Sequence, residues 1–219
     1  PIPRTLNIAL SGLRSISLIG SPPPGRVSIK TSVQRYSTHL IREACLREMH
    51  RGGQVYFLHN EVRSIDRIAA DLKDLIPEAS IEIAHGQMPK SELESVMRDF
   101  YHQRFDVLVC STIIESGIDI PTANTIIMNR ADRFGLAQLH QLRGRVGRGA
   151  EQGVCVLLYK ETLSKNSIKR LKILKKTDDG FYIAEEDLKL RGFGDLIGFQ
   201  QSGLKNFRFA DPLIHEDLF

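Results

Sequence analysis

From residue 38 onward the apolar positions of the chain switch regularly between two periods. Residues 38–51 carry apolar side chains at helical spacing and stop at Gly52-Gly53, and Val55-Tyr56-Phe57-Leu58 follows as an unbroken apolar run ending at His59. Ile65, Ile68, Ala69, Leu72, Leu75 and Ile76 then share one helical face that ends at Pro77, ahead of a short strand over 81–85. Leu93, Val96, Met97 and Phe100 repeat the helical face, and further strands are expected over 106–110, 125–129 and 154–159. The strands are continuous rather than alternating, so each is buried on both sides. Joined by amphipathic helices, they predict an α/β fold with a parallel sheet covered on both faces.

The alternation stops after Lys160. Residues 164–176 read as a basic helix, Asp178-Asp179-Gly180 as a turn, and 181–190 as a second helix, which together predict a helical hairpin. The glycine-rich stretch 191–203 reads as an ordered loop. At the other end, Ser21-Pro22-Pro23-Pro24-Gly25 and the short alternating segment 27–29 read as a linker and an edge strand. Three parts are therefore expected: a linker with its strand over 1–36, the α/β lobe over 37–160, and the hairpin with its loop over 161–219.

Composition narrows the class. With 219 residues, 42% hydrophobic and 26% charged, the chain is neither disordered nor fibrous, and no apolar run reaches the roughly 18 to 20 residues of a membrane span. The N-terminus lacks the order of a signal peptide, so a cytoplasmic protein is expected. Cys45, Cys110 and Cys155 are odd in number, far apart and flanked by apolar residues, which points to core positions and to neither disulfides nor a metal. The net charge of +4 is compatible with a polyanionic partner without demanding one.

The most informative chemistry lies in Gln141-Leu142-Arg143-Gly144-Arg145-Val146-Gly147-Arg148. Arg145 and Arg148 stand three apart beside glycines; a guanidinium fork binds phosphoryl oxygens and stays charged at any working pH. A lone pair of this spacing could equally be a basic turn. The run Val109-Cys110-Ser111-Thr112-Ile113-Ile114-Glu115-Ser116-Gly117-Ile118-Asp119-Ile120-Pro121 follows a strand, and hydroxyls at a strand end bind phosphate without reading sequence. In parallel sheets ligands sit beyond the carboxyl ends of the strands, so both stretches, one after Cys110 and one after Asn129, are expected at that edge.

These two strings, in this order and interval, resemble the fifth and sixth motifs of superfamily 2 helicases and translocases. The resemblance implies a RecA-like second motor lobe in which Arg145 and Arg148, with Gln141, act on a nucleotide held by the other lobe. It implies that Gly117 and Asp119 face that nucleotide, and that Ser111 and Thr112 touch the DNA backbone; Thr112 could also serve as a helix cap, and Asp119 as a cap or turn residue. His85-Gly86-Gln87-Met88 resembles a smaller motif at a strand end where DNA could pass, although His85 alone would read as a polar end residue. His59 and Asn60 occupy the place of the fourth motif.

The hairpin and loop resemble the translocation motif shared by the RecG and Mfd families of DNA translocases. On that match Arg170 and Arg191 are coupling arginines, Arg170 doubling as a salt link within the hairpin, and Gln201 is a DNA-side lever. Residues 1–148 look more like the Mfd family and 149–219 more like RecG, which a mosaic, a fusion or a divergent relative would each explain. The opening Pro1-Ile2-Pro3-Arg4-Thr5 resembles the end of a motif between two lobes, so the chain reads as part of a longer protein. It contains no G-x-x-x-x-G-K-[ST] loop and no Asp-Glu box. ATP with Mg²⁺ is therefore expected to be bound mainly by the first lobe, and this chain alone is expected to be inactive as an ATPase. The partners implied are that lobe, double-stranded DNA and, through other domains, RNA polymerase. An RNA helicase or a noncatalytic binding module are the competing expectations.

Overall fold

The computed structural model describes residues 28–112, 120–148, 151–160 and 162–191. By its internal contacts the chain forms two units, residues 21–178 and a second composed of 1–20 with 179–219. The larger unit is built on a six-stranded, wholly parallel sheet: β1 (Lys30–Arg35), β2 (Gln54–Leu58), β3 (Ile81–Ala84), β4 (Val107–Cys110), β5 (Ala123–Met128) and β6 (Val154–Tyr159). The strand order is β1-β6-β5-β2-β4-β3. Between the strands lie α1 (Thr38–His50), α2 (Ile65–Leu75), α3 (Lys90–Tyr101) and α4 (Leu136–Arg143), and α5 (Lys165–Lys176) follows β6.

Every position of β2, β4 and β5 is buried, as unbroken apolar runs require in a sheet covered on both sides. Because side chains alternate along a strand, Val55, Phe57, Val107, Val109, Ile127, Val156 and Leu158 meet α1 and α2 through Ile41, Cys45, Ile65, Ala69, Leu72 and Ile76. On the other face Tyr56 meets Phe100 of α3 edge-on at 5.2 Å between ring centroids, and Phe100 stacks on Phe105 at 5.0 Å. Glu48 of α1 is 1% exposed, with Arg51 as its ion-pair partner and a hydrogen bond from Thr125 of β5.

The expected alternation is present, with boundaries shifted by one or two residues. The edge strand differs more: it was expected over 27–29 and stands at Lys30–Arg35, paired in parallel with β6. Its sequence, Lys-Thr-Ser-Val-Gln-Arg, has one apolar residue and no buried position, so main-chain bonds hold it in place. The first is Lys30 N–H to Gly153 O at 2.8 Å.

The two helices expected after Lys160 are also present. Ser164 caps α5, its side chain accepting from Ser167 N–H at 3.1 Å. In the smaller unit α6 (Gly180–Arg191) starts where the Asp179 carboxylate accepts from Phe181 N–H at 2.9 Å and, at 3.3 Å, from Tyr182 N–H. The loop after Arg191, with Gln201, lies outside the described residues.

Candidate functional site

Parallel strands give the sheet a carboxyl edge and an amino edge, and the candidate residues divide between them. At the carboxyl edge β3 and β4 pair with Ala84 opposite Cys110, so His85 and Ser111, the next residues, stand side by side. Ser111 N–H donates to Ala84 O at 3.2 Å, His59 N–H to Cys110 O at 2.9 Å and Asn129 N–H to Leu58 O at 2.9 Å. His85, Ser111, His59 and Asn129 therefore end four adjacent strands in one row. Gly86 is exposed, His85 and Thr112 are half-buried, and Ser111 is 7% exposed. Gly86 is thus the most open of these four positions and Ser111 the most buried. Gly117 and Asp119 lie outside the described residues.

Within that row His59 is held from both ring nitrogens. Asn129 Nδ2 donates to Nδ1 at 3.1 Å, which leaves Nε2 to donate to Ser64 Oγ at 2.8 Å, and Ser64 in turn donates to Glu61 O at 3.2 Å. Burial lowers the imidazole pKa; the nearby Glu61 carboxylate opposes the shift, and Lys160 and Arg133 add to it. His59 is thus a neutral spacer between two strand ends.

Arg145 and Arg148 are not at this edge, contrary to the expectation from the strand ends alone. The chain leaves β5 at the carboxyl edge, but α4 is eight residues long and carries it back about 12 Å, the length of a short strand. The loop after α4 then packs beside Gly153, the residue before β6 and the acceptor for the first residue of β1. The arginine pair consequently stands at the amino edge. Val146 is fully buried and anchors the loop, while Gln141 and Arg148 are exposed and Arg145 is half-buried. Arg148 Nε donates to Gly144 O at 3.2 Å.

Two glycines make this loop possible. Gly147 has φ +69°, a region that side chains with a Cβ rarely enter, and a Cβ there would come within 3.1 Å of Ile29 Cγ1. On Gly153 a Cβ would stand 2.7 Å from the Gly147 Cα. The two backbones touch, so the motif glycine closes the loop onto the sheet as well as bending it.

Sequence reasoning passed over Arg143, the buried member of the string. Its side chain is 3% exposed, and Nη1 reaches Leu174 O at 2.8 Å, Thr177 O at 3.0 Å and Asp178 Oδ1 at 2.9 Å, with Nη2 2.9 Å from His140 Nδ1. It caps the carboxyl end of α5. A signal was available: Arg143 follows Leu136 by seven and Leu139 by four, which puts it on the apolar face of α4.

Arg170 ties the other end of α5 to the sheet. Its Nη2 donates to Asp132 O at 2.9 Å and to Ser167 Oγ at 3.0 Å, and Ser167 Oγ donates to the same carbonyl at 3.3 Å. Asp132 belongs to the turn after β5, where Arg130 takes φ +57° and grips the Asp132 carboxylate from Nε at 3.1 Å and Nη2 at 2.9 Å. Burial tends to raise that carboxyl's pKa, but the Arg130 hydrogen bond and charge outweigh it and hold the group below its ordinary value. The expected salt link of Arg170 is therefore a guanidinium-to-carbonyl bond to the β5 turn.

The comparisons with known proteins agree with this architecture. Residues 37–150 match the helicase conserved C-terminal domain, and 177–212 match the C-terminal part of domain 3 of the ATP-dependent DNA helicase RecG. The chain belongs to the helicase C-terminal domain family and is a superfamily 2 lobe of the Mfd and RecG type. It is 56% identical over 208 residues to the transcription-repair-coupling factor of Escherichia coli, covering 93% of this chain and 18% of that protein. The structure of RecG bound to a three-way DNA junction matches with a TM-score of 0.79 and 36% identity, over 100% of this chain and 29% of that one. Saccharomyces cerevisiae Dbp5 bound to RNA and ADP BeF3 shares the fold, with a TM-score of 0.59 at 16% identity over 88% of this chain and 54% of that one. Similarity to a transcription-repair-coupling factor thus extends across both stretches that the sequence divides between Mfd and RecG.

Proposed function

We propose that the chain is the second motor lobe of an ATP-driven double-stranded DNA translocase acting in bacterial DNA repair. The observation that carries this reading is the division of the sheet: an arginine loop on the amino edge, held by the buried Arg143 and by the contact of Gly147 with Gly153, and a row of strand ends on the carboxyl edge. Arg145 and Arg148, with Gln141, face nucleotide bound by a first RecA-like lobe, and neutralise charge that develops as the γ-phosphoryl leaves. Ser111, Thr112, His85 and Gly86 meet the DNA backbone. Gly117 and Asp119 on the nucleotide side, and Gln201 on the DNA side, are assigned by motif alone. Arg170 and Arg191 couple the two; Arg170's bond to the β5 turn supports its part.

ATP fits the donor set only in part. Two guanidiniums suit phosphate oxygens, and among the described residues no three His, Cys, Asp or Glu side chains group together. Mg²⁺ is assigned to the first lobe by the motor-lobe reading alone. Among the described residues no helix is long and apolar enough to cross a membrane. Similarity to transcription-repair-coupling factors supports RNA polymerase as a partner of the intact protein, reached through domains outside this chain.

The test is Arg148→Ala in the intact protein: ATPase is lost while duplex DNA binding persists, and retained ATPase removes the assignment. A RecG-like role at branched DNA is the second reading, favoured by the match over 177–212 and the junction-bound relative. Preference of the intact protein for a three-way junction over linear duplex would decide for it.

A further inference from the structure

Helix α5 concentrates charge in a way its fold does not need. Its twelve residues, Lys-Asn-Ser-Ile-Lys-Arg-Leu-Lys-Ile-Leu-Lys-Lys, carry six cationic side chains and no acidic one, more positive charge than the +4 excess of the whole chain. At 3.6 residues per turn, Lys165, Lys169, Lys172 and Lys176 fall within a sector of about 60°, opposite the buried Ser167, Leu171 and Leu174. All four are exposed. The stripe runs about 16 Å along the helix at 1.5 Å per residue.

This arrangement works against the isolated helix. Lysines four apart repel across a turn, and Lys165 sits in the first turn, where the helix dipole disfavours a cation. Arg170 is turned to Asp132 O, and Asp178 to Arg143, so neither relieves the stripe. Among the described residues none of the four lysines forms an ion pair. Elsewhere lysines do find carboxylates, as Lys90 with Glu94 and Lys189 with Glu186.

We infer that the Lys165, Lys169, Lys172 and Lys176 stripe is a rail for the phosphate backbone of duplex DNA, separate from the strand-end row. The inference rests on the motor-lobe reading and adds a second contact surface to it. Duplex DNA presents a phosphate about every 3.4 Å of axis on each strand, so a 16 Å row of cations spans several of them. A flexible ammonium contacts phosphate as a point charge and reads no sequence, which suits a surface that must slide. Arg170 and Arg143 hold the two ends of the helix, so the rail moves with the β5 turn and the arginine loop.

The experiment compares the intact protein with its quadruple variant Lys165→Gln, Lys169→Gln, Lys172→Gln, Lys176→Gln, titrated with a 30-base-pair duplex across a salt series. The slope of log affinity against log salt should become shallower by about 0.9 for each lost phosphate contact, about three to four units in all. The matching Lys→Arg variant should keep the slope, as should Lys73→Gln with Lys90→Gln on other helices. A quadruple variant that melts no earlier than the parent yet keeps the parent's slope and affinity overturns the rail. If the unsubstituted protein shows no salt-dependent duplex binding at all, the motor-lobe reading fails first and the rail with it.

Discussion

The Arg143 guanidinium lies 2.9 Å from the Asp178 carboxylate and joins two helices that are 21 residues apart in the chain, α4 and α5. Arg143 ends α4 two residues before Arg145, and its other acceptors, Leu174 O and Thr177 O, lie in the last turn of α5 and at its C-cap. The helix that presents the arginine loop and the helix that carries the lysine stripe are thus fastened at one buried point. Removing the guanidinium strands those carbonyls and leaves Asp178 unpaired.

For Arg143→Ala we expect a loss of about 2 to 4 kcal/mol in the unfolding free energy of this chain, read from denaturant titration. Arg143→Lys should recover only part of it, since one ammonium cannot reach all the acceptors that the fork serves. A cost under about 0.5 kcal/mol would mean that the carbonyls are satisfied without it.

Gly153→Ala should act on the arginine loop although residue 153 carries none of the motif chemistry. The added methyl would stand 2.7 Å from the Gly147 Cα, and a backbone atom cannot swing aside as a side-chain tip does. The loop must shift, at a cost of about 1 to 3 kcal/mol. In the intact protein the expected result is loss of ATPase with duplex affinity kept, because Ser111 and His85 lie at the opposite edge. Equal loss of both would place the damage in the sheet instead.

Much of this was legible in the chain. The unbroken apolar runs of β2, β4 and β5 and the helical face from Ile65 to Ile76 have strong periods, and both elements form where the pattern puts them. β1 was misplaced because an edge strand buries little and carries almost no hydrophobic signal. The two edges of the site were merged for a different reason. Strand ends can be read from a sequence, but where a loop lies after a returning helix depends on that helix's length, and α4, eight residues long and rich in polar side chains, has a weak pattern of its own. Arg143 was passed over because arginine next to a phosphate motif suggests ligand chemistry, while its phase on α4 points inward.

The three thiols should be silent in the folded chain. Burial pushes Cys45 and Cys155 up to about 12 and Cys110 higher still, with Glu48 adding to the shift at Cys45. A thiol-reactive chromophore at pH 8 should label none of them within the time that it labels all three in denaturant. Fast labelling of Cys110 would show that the end of β4, where Ser111 follows, opens locally.

His59 supplies the pH dependence. Its ring is neutral in the fold because burial lowers its pKa below the ordinary 6.5, so between the two values the unfolded chain binds a proton that the folded chain does not. Stability is then complete above about pH 6.5 and falls as the pH drops through that value toward the folded pKa, below which this group adds no further loss. Protonation would also place a second donor against Asn129 Nδ2, which forces that amide to turn or the two strand ends to part. His59→Gln, which keeps polar contacts without titrating, should flatten the decline in melting temperature between pH 7 and pH 5. A decline of the same steepness in that variant would assign the pH response to other groups.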